Sequence, residues 1–302
     1  MSARAAVFCP VDFSDASRGA LRYAAVIAAQ TSARLAVLTV NDPLLVEAAE
    51  MSGGAGILTA DARRELERFF HDTFRDRTAP VAPEFIVAAG RPDREILRLA
   101  RDAGAAAIVM SSRGATGVRK LFFGSTTERV LRETTIPILV TPAGDAGPGR
   151  FDDIKSAVRR ILLPVDLSDA LDDQVRTACT VAEALAAALL LVHVVEPVRA
   201  VVPGHEYAAN VDNERRDRAE RRLQALVQSL PTAVRLEPLV MFGEPAEEIA
   251  KIALDRGAGL IVMGLHASAL LGPRMGSVTY RVLSLARMPV LALPPAAAPA
   301  TA

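Results

Sequence analysis

Short apolar runs alternate with amphipathic stretches along the whole chain. In the first half the runs are AAVFCPV (5–11), RLAVLTV (34–40), PEFIVA (83–88), AAIVM (106–110) and PILV (137–140). They are too short for helices and almost continuously apolar, which predicts strands buried on both faces, as in a parallel sheet. Between them lie SRGALRYAAVIAAQ (17–30), DARRELERFFHDTF (61–74), REILRLARDAG (94–104) and STTERVLRET (125–134). Their apolar residues recur at i, i+3 and i+4, which predicts helices with one buried stripe. Ser14-Asp15 is placed to cap the first helix and Ser125 the last, while Pro92 suits a first helical position. Strand–helix alternation with right-handed crossovers gives a doubly wound α/β sheet of five parallel strands.

The pattern is written twice. VFCPVDFSDAS (7–17) returns as ILLPVDLSDAL (161–171), GRPDREILRLARDAGAAAIVM (90–110) as GEPAEEIAKIALDRGAGLIVM (243–263), and GSTTERVLRETTIPILVTP (124–142) as GSVTYRVLSLARMPVLALP (276–294). The offsets drift only from 154 to 152 residues, so the 302-residue chain is a duplicated α/β domain. The expected layout is a first copy at 1–144, a linker at 145–157 with Gly/Pro/Asp chemistry, a second copy at 158–296 and a tail at 297–302.

Charge narrows the partners. Residues 1–150 carry 19 Lys/Arg against 17 Asp/Glu, and residues 151–302 carry 16 against 18. Neither half offers the basic footprint of a nucleic-acid or polybasic membrane surface. The helix DNERRDRAERRLQALVQSL (212–230) interleaves Asp212, Glu214, Asp217 and Glu220 with its arginines and reads as a solvated face. No stretch approaches the ~20 apolar residues of a membrane span, and MSARAAVFCPVDFS lacks a signal-peptide pattern, so a cytoplasmic location is expected. Cys9 and Cys179 sit in apolar contexts and read as buried thiols.

Ligands of doubly wound sheets bind beyond the carboxyl ends of the strands, where strand order reverses. There the chain places Asp12 after the first strand, Val40 at the end of the second, and SSRGATGVRKLFFGSTTERV (111–130) after the fourth. Gly114 and Gly117 permit close backbone approach. Gly124 precedes a helix beginning Ser125-Thr126-Thr127, whose unpaired N–H groups suit phosphate, with Arg113, Arg119 and Lys120 nearby in sequence. Asp12 is suited to a ribose or an adenine amino group. The set describes a nucleotide cradle.

At these residues the chain resembles the universal stress protein family in its tandem form. The resemblance rests on Pro-Val-Asp-x-Ser, Gly-x-Pro-x-x-x-Ile-x-x-x-Ala, the Val-Met end of the fourth strand and the closing Pro-(Ile/Val)-Leu. It implies an adenine nucleotide alpha hydrolase-like fold, and an ATP-binding stress-response module with or without Mg2+ and without a protein-bound metal site. Nucleotide-binding members carry Gly-x2-Gly-x9-Gly-(Ser/Thr) after the fourth strand. That pattern falls here on Ser111, Gly114, Gly124 and Ser125, with Pro10, Asp12, Val40, Arg113 and Thr126 around it; serine replaces the first glycine. In the second half Gly264, Gly276 and Ser277 match, with Pro164, Asp166 and Val194, but Ala267 replaces the second glycine. Its spacer is one residue shorter and contains Pro273. The first half is therefore the better expected site. The resemblance also implies pairing of the two copies through IPILV (136–140) and MPVLAL (288–293), an intramolecular pseudo-dimer, and admits a homodimer of chains.

Other chemistries fit less well. Lys120, Lys155 and Lys251 are the only lysines and none stands in a Walker A pattern. Ser52-Gly53-Gly54-Ala55-Gly56 reads as a surface loop with no helix start at its glycines. His193 reads as a core residue, His71 and His205 as surface positions, and His266 as a loop residue within reach of a phosphate. No cysteine or histidine spacing suggests zinc, and no nucleophile elbow is present. The alternatives to a regulatory nucleotide-binding module are a slow ATPase and an interaction module with degraded sites.

Overall fold

The computed structural model describes residues 4–51, 56–112, 124–167, 172–197, 205–265 and 276–295. It divides into two compact units, the first built on residues up to Ile154 with Leu265 and the residues from Ala292 onward, the second on Lys155–Gly264 and Gly276–Leu291.

In the first unit the strands are β1 (Ala6–Pro10), β2 (Arg34–Asn41), β3 (Pro83–Ala89), β4 (Ala105–Ser111) and β5 (Ile138–Thr141). They lie in the order β3-β2-β1-β4-β5, every pair parallel. Strand order reverses between β1 and β4, so the ends of these two strands form the switch point. Ala6–Cys9, Leu35–Leu38 and Ile108–Val109 are buried without alternation, because helices cover both faces of the sheet.

The helices are α1 (Asp15–Gln30), α2 (Pro43–Met51), α3 (Ile57–Thr73), α4 (Pro92–Asp102) and α5 (Ser125–Glu133). Ser14 caps α1 by accepting from the Ser17 N–H at 3.2 Å, with Asp15 in the first turn where the helix dipole favours an anion. Just past its end Ser32 is left-handed, closing α1 at φ 54°. Ala20, Ala24, Ala25 and Ala28 bury a small-residue face that brings α1 close to the sheet. Pro92 opens α4 as expected.

Three expectations change. Gly124, extended at φ −60° and ψ 132°, takes the N-cap of α5, so Ser125 is its first residue and not its cap. Gly56 is left-handed (φ 78°) and α3 starts immediately after it, so a helix does begin at that glycine run; residues 52–55 lie outside the described residues. The helix α2 was not expected, because its apolar residues have no polar face to make a period; Leu44 and Leu45 are 71% and 62% exposed.

The seam is structured. The Tyr23 hydroxyl donates to Asp145 at 3.1 Å, Arg22 to the Ala146 carbonyl at 3.1 Å, and the Gly147 N–H to Asp145 at 2.8 Å. A Cβ on Gly19 would lie 2.0 Å from the Asp145 carbonyl oxygen, so glycine is needed for this close approach. The helix α6 (Phe151–Ala157) follows within what composition reads as linker.

The second half of the chain repeats the plan with β6 (Arg160–Pro164), β7 (Ala188–Val195), β8 (Leu236–Phe242), β9 (Leu260–Gly264) and β10 (Val290–Leu293), in the order β10-β9-β6-β7-β8. β6 pairs in parallel with β7 and β9, and β7 with β8. Its helices are α7 (Asp172–Leu185), α8 (His205–Ser229), α9 (Pro245–Asp255) and α10 (Ser277–Leu285). Cys9 and Cys179 are free and buried, and burial pushes both thiols up. Among the described residues no helix is long and apolar enough to cross a membrane.

Candidate functional site

The strand ends gather most of the expected residues of the first half. Pro10 closes β1, Asp12 follows it, Val40 stands one residue before the end of β2, and Ser111 closes β4. Asp12 Oδ1 accepts from the Ser14 N–H at 3.2 Å and from the Ser14 and Ser17 hydroxyls at 2.6 Å each. Three donors on one oxygen fix the rotamer of an exposed carboxylate at the switch point. Phe13, between Asp12 and Ser14, is left-handed at φ 62°, a conformation that costs a bulky residue free energy and gathers at functional turns.

The mouth of the fourth-strand segment is tied at both ends. The Ser112 N–H donates to the Thr141 carbonyl at 2.8 Å, and the Gly124 N–H to the Ser112 carbonyl at 3.0 Å. The first backbone bond of α5 runs from the Glu128 N–H to the Gly124 carbonyl at 3.0 Å, leaving the N–H groups of Ser125, Thr126 and Thr127 without an intrahelical acceptor. Ser125 is exposed and Thr126 half-buried. Arg113, Gly114, Gly117, Arg119 and Lys120 lie outside the described residues.

Sequence reasoning missed Ser17, which holds Asp12, and read Thr127 only as part of the phosphate-facing start of α5. The Thr127 side chain is buried and donates to the Ser111 carbonyl at 3.0 Å, pinning the first turn of α5 to the end of β4. Thr279 does the same to the Gly264 carbonyl at 3.1 Å. The signal was available: between GSTT and GSVT only the last threonine is kept after Gly-Ser.

The second unit sets its counterparts on the same frame. Asp166 is exposed after β6, Leu167 repeats the left-handed turn at φ 57°, Val194 stands one residue before the end of β7, and Gly264 closes β9. Pro164 closes β6, and its carbonyl accepts from the Gln174 side chain at 3.1 Å. Gly276 is the N-cap of α10 and Ser277 its first residue. His266, Ala267 and Pro273, and the side chain of His205, lie outside the described residues; His71 is exposed as expected.

One reading of this half is corrected and another is refined. His193 is half-buried, not core: it lies near the end of β7, where Nδ1 donates to the Val165 carbonyl at 2.8 Å. The charged helix 212–230 is solvated as expected, with only Ala219 and Leu223 of it buried. Its Arg215, Arg218 and Arg222 line a cleft of about 480 Å³ at the strand ends, together with Asp166, His193 and Glu196. Alternating signs conceal a face on which arginines recur every three or four residues. Among the described residues no three His, Cys, Asp or Glu side chains gather as a metal-binding group.

Comparison with known proteins agrees with the duplication. A sequence model of the universal stress protein family matches twice, at residues 5–142 and 157–294. A universal stress protein from Thermus aquaticus is 34% identical over 134 residues, covering 44% of this chain and 96% of that protein. Universal stress protein YxiE from Bacillus subtilis is 29% identical over 138 residues, covering 43% and 93%. The crystal structure of a universal stress protein from Archaeoglobus fulgidus superimposes with a TM-score of 0.61 at 20% identity, covering 96% of both chains, and shows the fold.

Proposed function

Because the chain belongs to the universal stress protein family, with one copy of the domain in each half, we propose that it binds an adenine nucleotide, ATP, as a regulatory ligand. The binding site is that of the first half. Asp12 and the backbone at Val40 take the ribose and base, and the first turn of α5, with Gly124, Ser125 and Thr126, takes the phosphates. Ser111, Arg113 and Gly114 complete the loop. Asp166, Val194, Gly264, Gly276 and Ser277 form a weaker counterpart. The copies span 1–144 and 158–296, and the protein acts in the cytoplasm.

The observation that carries this reading is the tether from the Gly124 N–H to the Ser112 carbonyl. It holds the N–H groups of the first turn of a nine-residue helix beside the end of β4, the strand that neighbours β1, which Asp12 follows. The residues fit the ligand: hydroxyls and backbone donors meet phosphate at a helix N-terminus, while an oriented carboxylate meets ribose. A nucleotide held there biases partner binding only by its differential affinity for two states of the protein.

The test is direct. Nucleotide released on denaturing the purified protein is identified by mass spectrometry, and thermal unfolding is followed as ATP is added. Saturation at a thousandfold over Kd stabilises by about 4 kcal/mol, roughly 10 °C for a domain of this size. Gly124→Val abolishes that shift. No carried nucleotide and no shift at millimolar ATP would sink the reading, and steady phosphate release would turn it toward an ATPase.

A further inference from the structure

We propose that the second half carries a binding site at the amino ends of its strands, for a small acidic amino acid with two carboxylates and one ammonium. The site is a cavity of about 540 Å³, within the ~300–1,000 Å³ of small-molecule sites. It lies where the parallel strands β6, β7 and β8 begin, at the other end of these strands from Asp166 and Val194.

The frame follows from how α7 ends. Ala186 is left-handed at φ 53°. The Ala187 N–H donates to the Ala182 carbonyl at 2.9 Å, and the Ala186 N–H to the Glu183 carbonyl at 3.1 Å, which closes the helix in a tight turn into β7. The Thr232 hydroxyl, ahead of β8, donates to Glu183 Oε1 at 2.9 Å and fixes that carboxylate. Ala182, Ala187, Ala188 and Val234 give the cavity an apolar floor, and Arg159, Glu183 and Arg235 supply its charge. Arg159 makes no side-chain hydrogen bond or ion pair among the described residues. Arg235 meets Glu237 at 3.2 Å, but Glu237 also serves Arg160 at 3.3 Å, so two guanidinium groups share one carboxylate. The lining therefore presents two cations and one anion. An acidic amino acid is its charge complement. Each planar fork takes a carboxylate, Glu183 takes the ammonium, and the short carbon chain rests on the alanines.

The first half supplies an internal control. Arg159, Glu183, Thr232 and Arg235 correspond there to Ala5, Ala29, Ala79 and Ala82. Ala188 corresponds to Arg34, which reaches Glu84 at 2.7 Å and the Ala103 carbonyl at 3.1 Å. In the second half both bonds, to Glu237 and to the Arg256 carbonyl, pass to Arg160 on the neighbouring strand. The bracing arginine stands one strand over and leaves alanine at the floor of the cavity. All three charged groups of the lining are peculiar to the second copy, and the first copy folds without them.

Calorimetric titration of the full chain with L-glutamate, glutarate and L-glutamine tests the site. Glutamate binds more tightly than either of the others, because glutarate lacks the ammonium and glutamine the second carboxylate. Arg159→Ala and Arg235→Ala, which set the first-half residues in these places, each weaken glutamate by roughly ten- to a hundredfold, the worth of a charge-assisted contact. Glu183→Gln removes the advantage of glutamate over glutarate, and circular dichroism confirms that each variant is folded. No binding of glutamate, glutarate or glutamine held as tightly as glutamate, or unchanged glutamate affinity in the Arg159→Ala chain overturns the proposal. Each outcome is independent of whether ATP stabilises the protein through Gly124.

Discussion

The two halves share a frame and part company over the ends of their second strands. In the first, the left-handed Phe13 meets Phe69 edge-on at 5.6 Å between ring centroids, and Arg18 lies 4.5 Å over the same ring. Thr39, one position before Val40, is buried. In the second, Leu167 holds the turn, His193 replaces Thr39 and opens onto the cleft, and Leu226 stands where Phe69 would. The aromatic contact of the first copy has no aromatic counterpart at Leu167 and Leu226 of the second, where arginines of α8 line a cleft. The lesson is that the helix before the third strand can be rewritten without disturbing the sheet, because its inward pair, Ala-x-x-x-Leu, does the packing. What that helix turns toward the strand ends is free to change.

The sharpest way to break the comparison is through what the halves share. Leu66 and Leu223 are 0% and 1% exposed, and each Leu→Ala should cost about 2–5 kcal/mol, read by denaturant unfolding. Similar losses confirm a common frame. A near-neutral Leu223→Ala would show that α8 is not packed as α3 is. A similar loss is expected at Gly19→Val, where the new side chain meets the Asp145 backbone. The matching position of the second half is Asp173, so Asp173→Val should be nearly silent.

Thr127→Val and Thr279→Val remove the buried hydroxyl that donates to the Ser111 or Gly264 carbonyl, at about 1–3 kcal/mol each. The comparison is sharpened by adding ATP, since Thr127→Val should also reduce the stabilisation by nucleotide and Thr279→Val should not. The smallest effect is at Tyr23. Burial and the Asp145 carboxylate push its phenol well above the ordinary range. The unfolded chain then loses its proton first, so this contribution is complete below pH ~10 and fades above it. Tyr23→Phe should cost about 1 kcal/mol at pH 7 and flatten the alkaline limb of stability against pH, a profile that urea melts would report.

The sheet was legible because strands buried on both faces cannot hide their composition, and the repeat made each assignment twice. The positions of Asp12, Val40, Ser111 and Gly124 followed from strand ends. What escaped depended on relations between elements. Ser17 matters because it reaches back to Asp12 across the start of α1, and Thr127 because it meets a carbonyl 16 residues earlier. The arginines of α8 are exposed as read, but that Arg215, Arg218 and Arg222 line one cleft was hidden because Asp217 and Glu220 interrupt them in sequence. Gly56 read as loop because a left-handed residue before a helix leaves no side-chain signal. The seam looked like linker because Gly147 serves close packing on Gly19 and Arg22 of α1, a use that composition does not separate from flexibility.

The claim on which the rest depends is that nucleotide meets the first half at the start of α5. Hydrogen exchange with and without ATP, read by mass spectrometry on peptides from both halves, tests it most directly. Slowed exchange at Ser111–Ser112 and Ser125–Thr127, with Gly264 and Ser277–Thr279 unchanged, is the predicted result. Protection confined to the second half, or none in either at saturating ATP, would contradict it.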